Sequence, residues 1–155
     1  MGSFLQPKFD ISYVETMKYY MLPQILANYG EPSQILVLTF RNDRQRPDVT
    51  SFPFNLLLIY QDQGFYVQYE MDRVNTGINF KGCTSESFVS LVTWDPEDNA
   101  AYERMMEATV LSNYLSDYKS ISEATDMTRE EFYQVFLSNN VMNCIATPIE
   151  TWPNP

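Results

Sequence analysis

The chain has 155 residues, of which 45% are apolar and 19% charged, a composition typical of one globular domain. It contains no histidine, which excludes Ser-His, Cys-His and His-metal chemistry. A net charge of −10 disfavours nucleic acid and anionic membranes, because both are bound through clustered Lys and Arg. No apolar run approaches the roughly 18 residues of a membrane-spanning helix.

The N-terminal part of the chain is predicted to hold one strand and one short helix. Residues 9–14 alternate loosely between apolar and polar side chains, which indicates an edge strand. Residues 22–30 have helical spacing, with Pro23 in the first turn and Gly30 as a left-handed C-terminal cap.

The middle of the chain is predicted to form most of a sheet. Residues 34–41, 54–61, 65–72 and 87–94 are strand-length runs rich in branched and aromatic side chains. The turn Asp62-Gln63-Gly64 makes the second and third runs a hairpin. Apolar side chains point to both sides of the first run, which suits a central strand.

Helices are predicted to follow the sheet. Asp95 is a candidate N-cap for a helix that runs to about residue 115. Thr128 and Glu131 have the spacing of a capping box at the start of a second helix. Residues 141–149 close the chain as a strand or extended segment.

These elements predict an α+β fold with an antiparallel sheet of four to five strands and helices packed on one face. Residues 1–155 are interpreted as a single domain without repeats. Met1-Gly2-Ser3 is typical of residues left by an expression vector, so a native leader or lipid anchor stays compatible with the sequence.

The acidic side chains are concentrated in the predicted helical half. They offer candidate cation ligands at Asp95, Glu97 and Asp98, but a calcium loop needs acids at alternate positions and a central Gly. Helix capping explains the same three residues. We therefore expect no metal and no cofactor.

Paired carboxylates are a second chemical possibility. Glu70, Asp72 and Glu86 could project from a sheet into a cleft, as in a carboxylate-dependent glycoside hydrolase. Outward polar positions of a half-buried sheet have the same pattern. The sequence does not decide whether the protein is an enzyme and favours the view that it is not; no catalytic residue is assigned.

The two cysteines, Cys83 and Cys144, are compatible with one disulfide or with two buried thiols. Neither has a basic neighbour in the sequence to activate it as a nucleophile. We favour the disulfide, because a helical excursion of this length often returns a strand beside its exit point.

A basic loop is the candidate contact site. Arg41, Arg44 and Arg46 place three of the ten basic residues within six positions of an acidic protein. The loop is longer than a hairpin needs, and binding residues favour such loops. A solvated hairpin tip, in which Arg44 and Arg46 pair with Asp43 and Asp48, explains the same residues. We expect the loop to be exposed, and the functional interpretation is a contact with an acidic or carbohydrate partner.

The run Leu26-Ala27-Asn28-Tyr29-Gly30-Glu31-Pro32-Ser33-Gln34-Ile35 resembles the helix, Tyr-Gly-x-Pro-Ser, strand junction of small secreted or lipid-anchored domains of bacterial envelopes. Gly82-Cys83, Val92-x-Trp94, Cys144 and Trp152-Pro153 fit the same pattern. It is also similar to the opening of outer-membrane assembly lipoproteins and β-lactamase inhibitor proteins, which are not enzymes. The resemblance implies an envelope or secreted location and contact with another macromolecule.

The expected function is therefore a non-catalytic extracytoplasmic interaction domain with a protein or glycan partner. One alternative is a small-ligand or carbohydrate-binding module that uses an aromatic sheet face. The other is the carboxylate-dependent glycoside hydrolase. The oligomeric state is not predicted.

Overall fold

The computed structural model describes residues 8–10, 21–41, 53–113, 118–138 and 144–152 of the chain, and of residues 8–10, 86 and 108–113 the backbone only. The described part forms an antiparallel sheet of six strands and a second sheet of three. The strands are β1 (Lys8–Asp10), β2 (Gln34–Thr39), β3 (Pro53–Tyr60), β4 (Phe65–Asp72), β5 (Val74–Asn75), β6 (Asn79–Cys83), β7 (Ser87–Thr93), β8 (Lys119–Ser120) and β9 (Cys144–Pro148). The helices are α1 (Leu22–Tyr29), α2 (Asn99–Asn113), α3 (Ile121–Thr125) and α4 (Arg129–Ser138).

The six-stranded sheet has the order β1-β7-β4-β3-β2-β8. The predicted hairpin is its centre, with Leu58 of β3 opposite Val67 of β4. The four predicted strands are β2, β3, β4 and β7, which confirms the α+β class and the antiparallel sheet. Two short edge strands, β1 and β8, bring the number of strands above the expected four to five.

The second sheet is formed by β5, β6 and β9. Its middle strand approaches the large sheet closely at Gly82, where an added Cβ would lie 2.7 Å from two ring carbons of Phe54. Only glycine permits this approach without displacing the ring. The strand around Gly82 was not predicted from the sequence.

Both faces of the large sheet are covered. Leu56 and Leu58 pack into the cluster that includes α1, α3 and α4, whereas Leu57 and Ile59 pack into the cluster that includes α2. The prediction that helices cover one face is corrected in this respect. Because alternate residues of a strand point to opposite faces, a strand with continuous apolar residues needs cover on both.

The helix starts follow their capping residues. Thr128 N donates to Glu131 Oε2 (2.7 Å) and Glu131 N donates to Thr128 Oγ1 (3.1 Å), which confirms the capping box of α4. Helix α2 begins later than predicted, because Asp95 accepts the Glu97 N–H in a preceding turn and Asp98 accepts the Ala101 N–H. The N-cap function is therefore taken by Asp98.

Candidate functional site

The predicted disulfide is present. Cys83 ends β6 and Cys144 begins β9, and the two residues are directly opposite each other in the register of the second sheet. Their Sγ atoms are 2.10 Å apart across a sequence separation of 61. The bond therefore ties the segment after α4 to the strand that precedes β7.

The predicted basic contact site is described only in part. Arg41 is half-buried and follows Phe40 just beyond the end of β2. Arg44 and Arg46 lie outside the described residues, and their contribution to binding stays a prediction.

One end of the large sheet carries exposed apolar side chains. Strands β2 and β4 end there, and β3 and β7 begin there, since Thr39 is opposite Phe54 and Met71 is opposite Ser87. Phe40 (36% exposed) and Phe88 (56%) lie there, and Val74 (53%) and Ile78 (77%) lie on the β5–β6 hairpin that follows β4; we call these four side chains the apolar end. They are four of the six large apolar side chains found exposed in the described part of the chain.

The β5–β6 hairpin, which carries Val74 and Ile78, is fixed by hydrogen bonds. Asn75 Oδ1 accepts the Gly77 N–H (2.8 Å). Thr76 Oγ1 donates to the backbone carbonyl of Asn79 and accepts the Asn79 N–H. The carbonyl of Ile78 accepts the Ile149 N–H at 3.1 Å. The backbone thus holds Ile78 in place while its side chain faces solvent.

Arg73 joins the hairpin to the end of β2. Its guanidinium carbon lies 4.0 Å from the centre of the Phe80 ring, and its Nη1 donates to the carbonyl of Phe40. A cation over an aromatic face is attractive. These contacts hold Phe40 and Val74 on the same end of the molecule.

Polar side chains lie on the α2 side of the central strands. Asn55, Gln68 and Ser90 are buried, and Asn55 Nδ2 donates to Tyr118 Oη at 3.4 Å. Burial raises the pKa of Tyr118 to about 12, against the opposing effect of the bond from Asn55. Glu70 is directly opposite Asn55 in the register, at the edge of this group.

The carboxylates considered for catalysis are distributed along the sheet. Glu70 and Asp72 lie two residues apart on β4, and the side chain of Glu86 is outside the described part of the structure. Asp98 Oδ2 is 3.5 Å from Arg104 Nη2, and Asp95 and Asp98 cap turns as described above. Within the described residues no group of three or more Cys, Asp or Glu could hold a metal ion.

A polar cleft lies at the opposite end of β2. Two cavities of about 560 and 270 Å³ meet there and share Glu31, Ser33 and Arg129. We call the larger cavity the Arg129 cleft. It is lined by Glu31, Ser33, Gln34, Ile35, Leu36, Ser120, Ile121, Ser122, Thr128, Arg129 and Glu130.

Arg129 is held between α4 and the start of β2. Its Nε donates to Glu31 Oε1 at 2.9 Å, and its Nη1 donates to the carbonyl of Ser33. Ser33 is itself anchored, because its Oγ donates to the carbonyl of Ile59 (2.8 Å) and accepts the Gln61 N–H (3.1 Å). The cleft therefore has a polar wall with a defined geometry.

The sequence interpretation missed the apolar end and the Arg129 cleft. The one available signal for the apolar end was Ile78, an apolar residue beside the Asn-Thr-Gly turn. Arg129 and Glu31 are 98 residues apart, and no local pattern connects them.

Of the helices in the described residues, none is long and apolar enough to cross a membrane. Comparisons with protein-family models, curated proteins and solved structures gave no match.

Proposed function

We propose that this protein is a non-catalytic extracytoplasmic interaction domain that contacts a protein partner through its apolar end. The observation that carries the proposal is the exposure of Phe40 and Phe88 at one end of the large sheet and of Val74 and Ile78 on the hairpin that follows β4. Single exposed apolar residues are ordinary, but several at one place are typical of a contact surface.

The chemistry of the apolar end favours a protein over other macromolecules. Phe40 and Phe88 are aromatic, but the other two side chains, Val74 and Ile78, are aliphatic and offer a sugar neither a flat aromatic face nor a planar polar group. The net charge of −10 disfavours nucleic acid. Large apolar side chains that become desolvated at the centre of an interface supply most of the binding energy of protein complexes.

The disulfide supports the location. A bond between Cys83 and Cys144 persists in oxidising compartments and is rare where glutathione and thioredoxin reduce thiols. The location is tested by acid trapping and alkylation in cells that express the native gene. Protection of both cysteines is expected, and alkylation of both would contradict an extracytoplasmic site.

The contact surface is tested by photo-crosslinking. A benzoylphenylalanine is placed at Ile78 or Phe88, and at Glu103, an exposed residue of α2, as the matched control. We expect one discrete adduct with another protein from the first two positions and none from the third. Equal adducts from all three positions, no adduct, or an adduct with a second copy of the chain would overturn the proposal.

The identified partner is then used in a binding assay with purified protein. Ile78→Ser and Phe88→Ser are each expected to weaken binding by about tenfold or more. Val135→Ser is the control, since Val135 is comparably exposed but lies on α4. A partner whose affinity is unchanged by the first two substitutions does not use the apolar end.

A further inference from the structure

The Arg129 cleft is a built cavity away from the apolar end. Strand β8 pairs only with Leu36 and Val37, and the chain then turns into α3. The cleft lies at this point, between the start of β2 and the N-terminal part of α4. Its volume of about 560 Å³ is within the range of small-molecule sites, roughly 300–1,000 Å³.

The polar groups of the cleft are fixed before any ligand arrives. Arg129 is held by Glu31 and by the carbonyl of Ser33, and Gln34 Nε2 donates to Tyr102 Oη at 3.1 Å. Side chains that are already ordered lose less conformational entropy on binding. The remaining guanidinium N–H groups and the amide oxygen of Gln34 are therefore well placed to act as a donor and an acceptor.

The charges of the cleft exclude two classes of ligand. Its one basic side chain, Arg129, is paired, and Glu31 and Glu130 leave the lining with an acidic excess, which disfavours phosphate and other anions. In the part of the chain that the structure describes, no cluster of acidic side chains fits a metal ion. Neutral ligands and organic cations are left.

The remaining lining is suited to a ligand with many hydroxyl groups. Ser120, Ser122 and Thr128 have hydroxyls, which both donate and accept hydrogen bonds. Ile35 and Ile121 are buried in the core, whereas Leu36 is half-buried and supplies the apolar surface of the cleft. A sugar has the matching surface, with hydroxyls at its edge and C–H groups on its faces.

We propose that the Arg129 cleft binds a neutral carbohydrate. The Arg129 guanidinium and the Glu31 carboxylate bind neighbouring sugar hydroxyls as donor and acceptor. Gln34 and the serine and threonine hydroxyls complete the polar contacts, and Leu36 packs against the ring. This site differs from the aromatic sheet face expected from the sequence, because the aromatic side chains of β3 and β4 are buried.

The experiment is a titration of the isotopically labelled chain with four neutral disaccharides, maltose, cellobiose, lactose and chitobiose, monitored by amide NMR. Each sugar is added to about 50 mM, which nearly saturates a site with a Kd of about 1 mM. We expect at least one sugar to give saturable shifts confined to residues 31–36, 120–122 and 128–130. Inorganic phosphate at the same concentration is expected to shift none of them.

Two variants test the assignment. Arg129→Met removes the guanidinium and is expected to weaken binding by about tenfold or more; Arg104→Met, which breaks the exposed pair with Asp98, is the matched control and should leave it unchanged. Ser122→Leu fills the cleft from an exposed position without changing a charge, and should abolish binding. The amide spectrum of each variant reports that it is folded.

Three results would overturn the proposal. One is the absence of saturable shifts with all four sugars. The second is a set of shifts outside the cleft, and the third is binding that Arg129→Met and Ser122→Leu leave intact. Phosphate shifts in the same residues would assign the cleft to anions instead. None of these outcomes depends on the partner of the apolar end, so the two proposals fail separately.

Discussion

Removal of the disulfide is expected to lower the free energy of unfolding by about 4 kcal/mol. The perturbation is the double substitution Cys83→Ser and Cys144→Ser. In the chain-entropy model a bond that closes a separation of 61 residues removes about 14 cal/mol/K of conformational entropy from the unfolded chain, which corresponds to about 4 kcal/mol of stability at 25 °C.

The reason for the loss lies in the unfolded state, so the folded structure should persist. Cys83 and Cys144 are opposite each other on β6 and β9, and serine fits the same positions. Thr147 of β9 is held independently, because its Oγ1 donates to the carbonyl of Ala124 (2.6 Å) and accepts from Trp152 Nε1 (3.0 Å). The amide spectrum of the double variant should therefore keep its dispersed signals from β9.

Urea unfolding measures the effect. For an m-value of about 2 kcal/mol/M, the midpoint of the double variant should fall by about 2 M relative to the oxidised protein. A reductant should lower the midpoint of the wild type to that of the variant and leave the variant unchanged. A difference under about 1 kcal/mol between the oxidised protein and the variant would refute the entropic reasoning.

Three further predictions concern packing and titration. Burial raises the pKa of Tyr118 to about 12 from its ordinary 10, so its contribution to stability is present below pH 10 and is lost as the pH rises from about 10 to 12. An absorbance titration at high pH, taken as the difference between the wild type and Tyr118→Phe, should show that the Tyr118 phenol is still un-ionised at about pH 11. Ionisation near pH 10 would contradict its burial. Thr147→Val should cost about 2–4 kcal/mol in urea unfolding because it leaves a buried donor and acceptor unpaired, whereas Thr147→Ser should cost about 1 kcal/mol; equal losses would show that the hydroxyl does not matter. Phe132→Ala should cost about 3–5 kcal/mol, because Phe132 is fully buried, and Val135→Ala on the exposed side of the same helix should stay within about 0.5 kcal/mol; similar melting temperatures for the two variants would refute the assigned orientation of α4.

The sequence determined the local elements, because the signals for them lie within a few residues of one another. The turn at Gly64 fixes the β3–β4 hairpin, because the φ of +77° at this position suits glycine. The Thr128 and Glu131 pair fixes the start of α4, and Gly30 ends α1. The sequence favoured a disulfide between Cys83 and Cys144, and the structure contains it.

The tertiary structure decided which residues meet across long separations. Strand β8 is two residues long and forms as the partner of Leu36 and Val37 in β2. The meeting of Arg129 with Glu31 depends on the packing of α4 beside α1 and the start of β2. Phe40 and Phe88 likewise lie at one end of the large sheet because four antiparallel strands begin or end there, which is a property of the sheet order. Local patterns contain no information on such pairings, since each depends on how the whole chain buries its apolar surface.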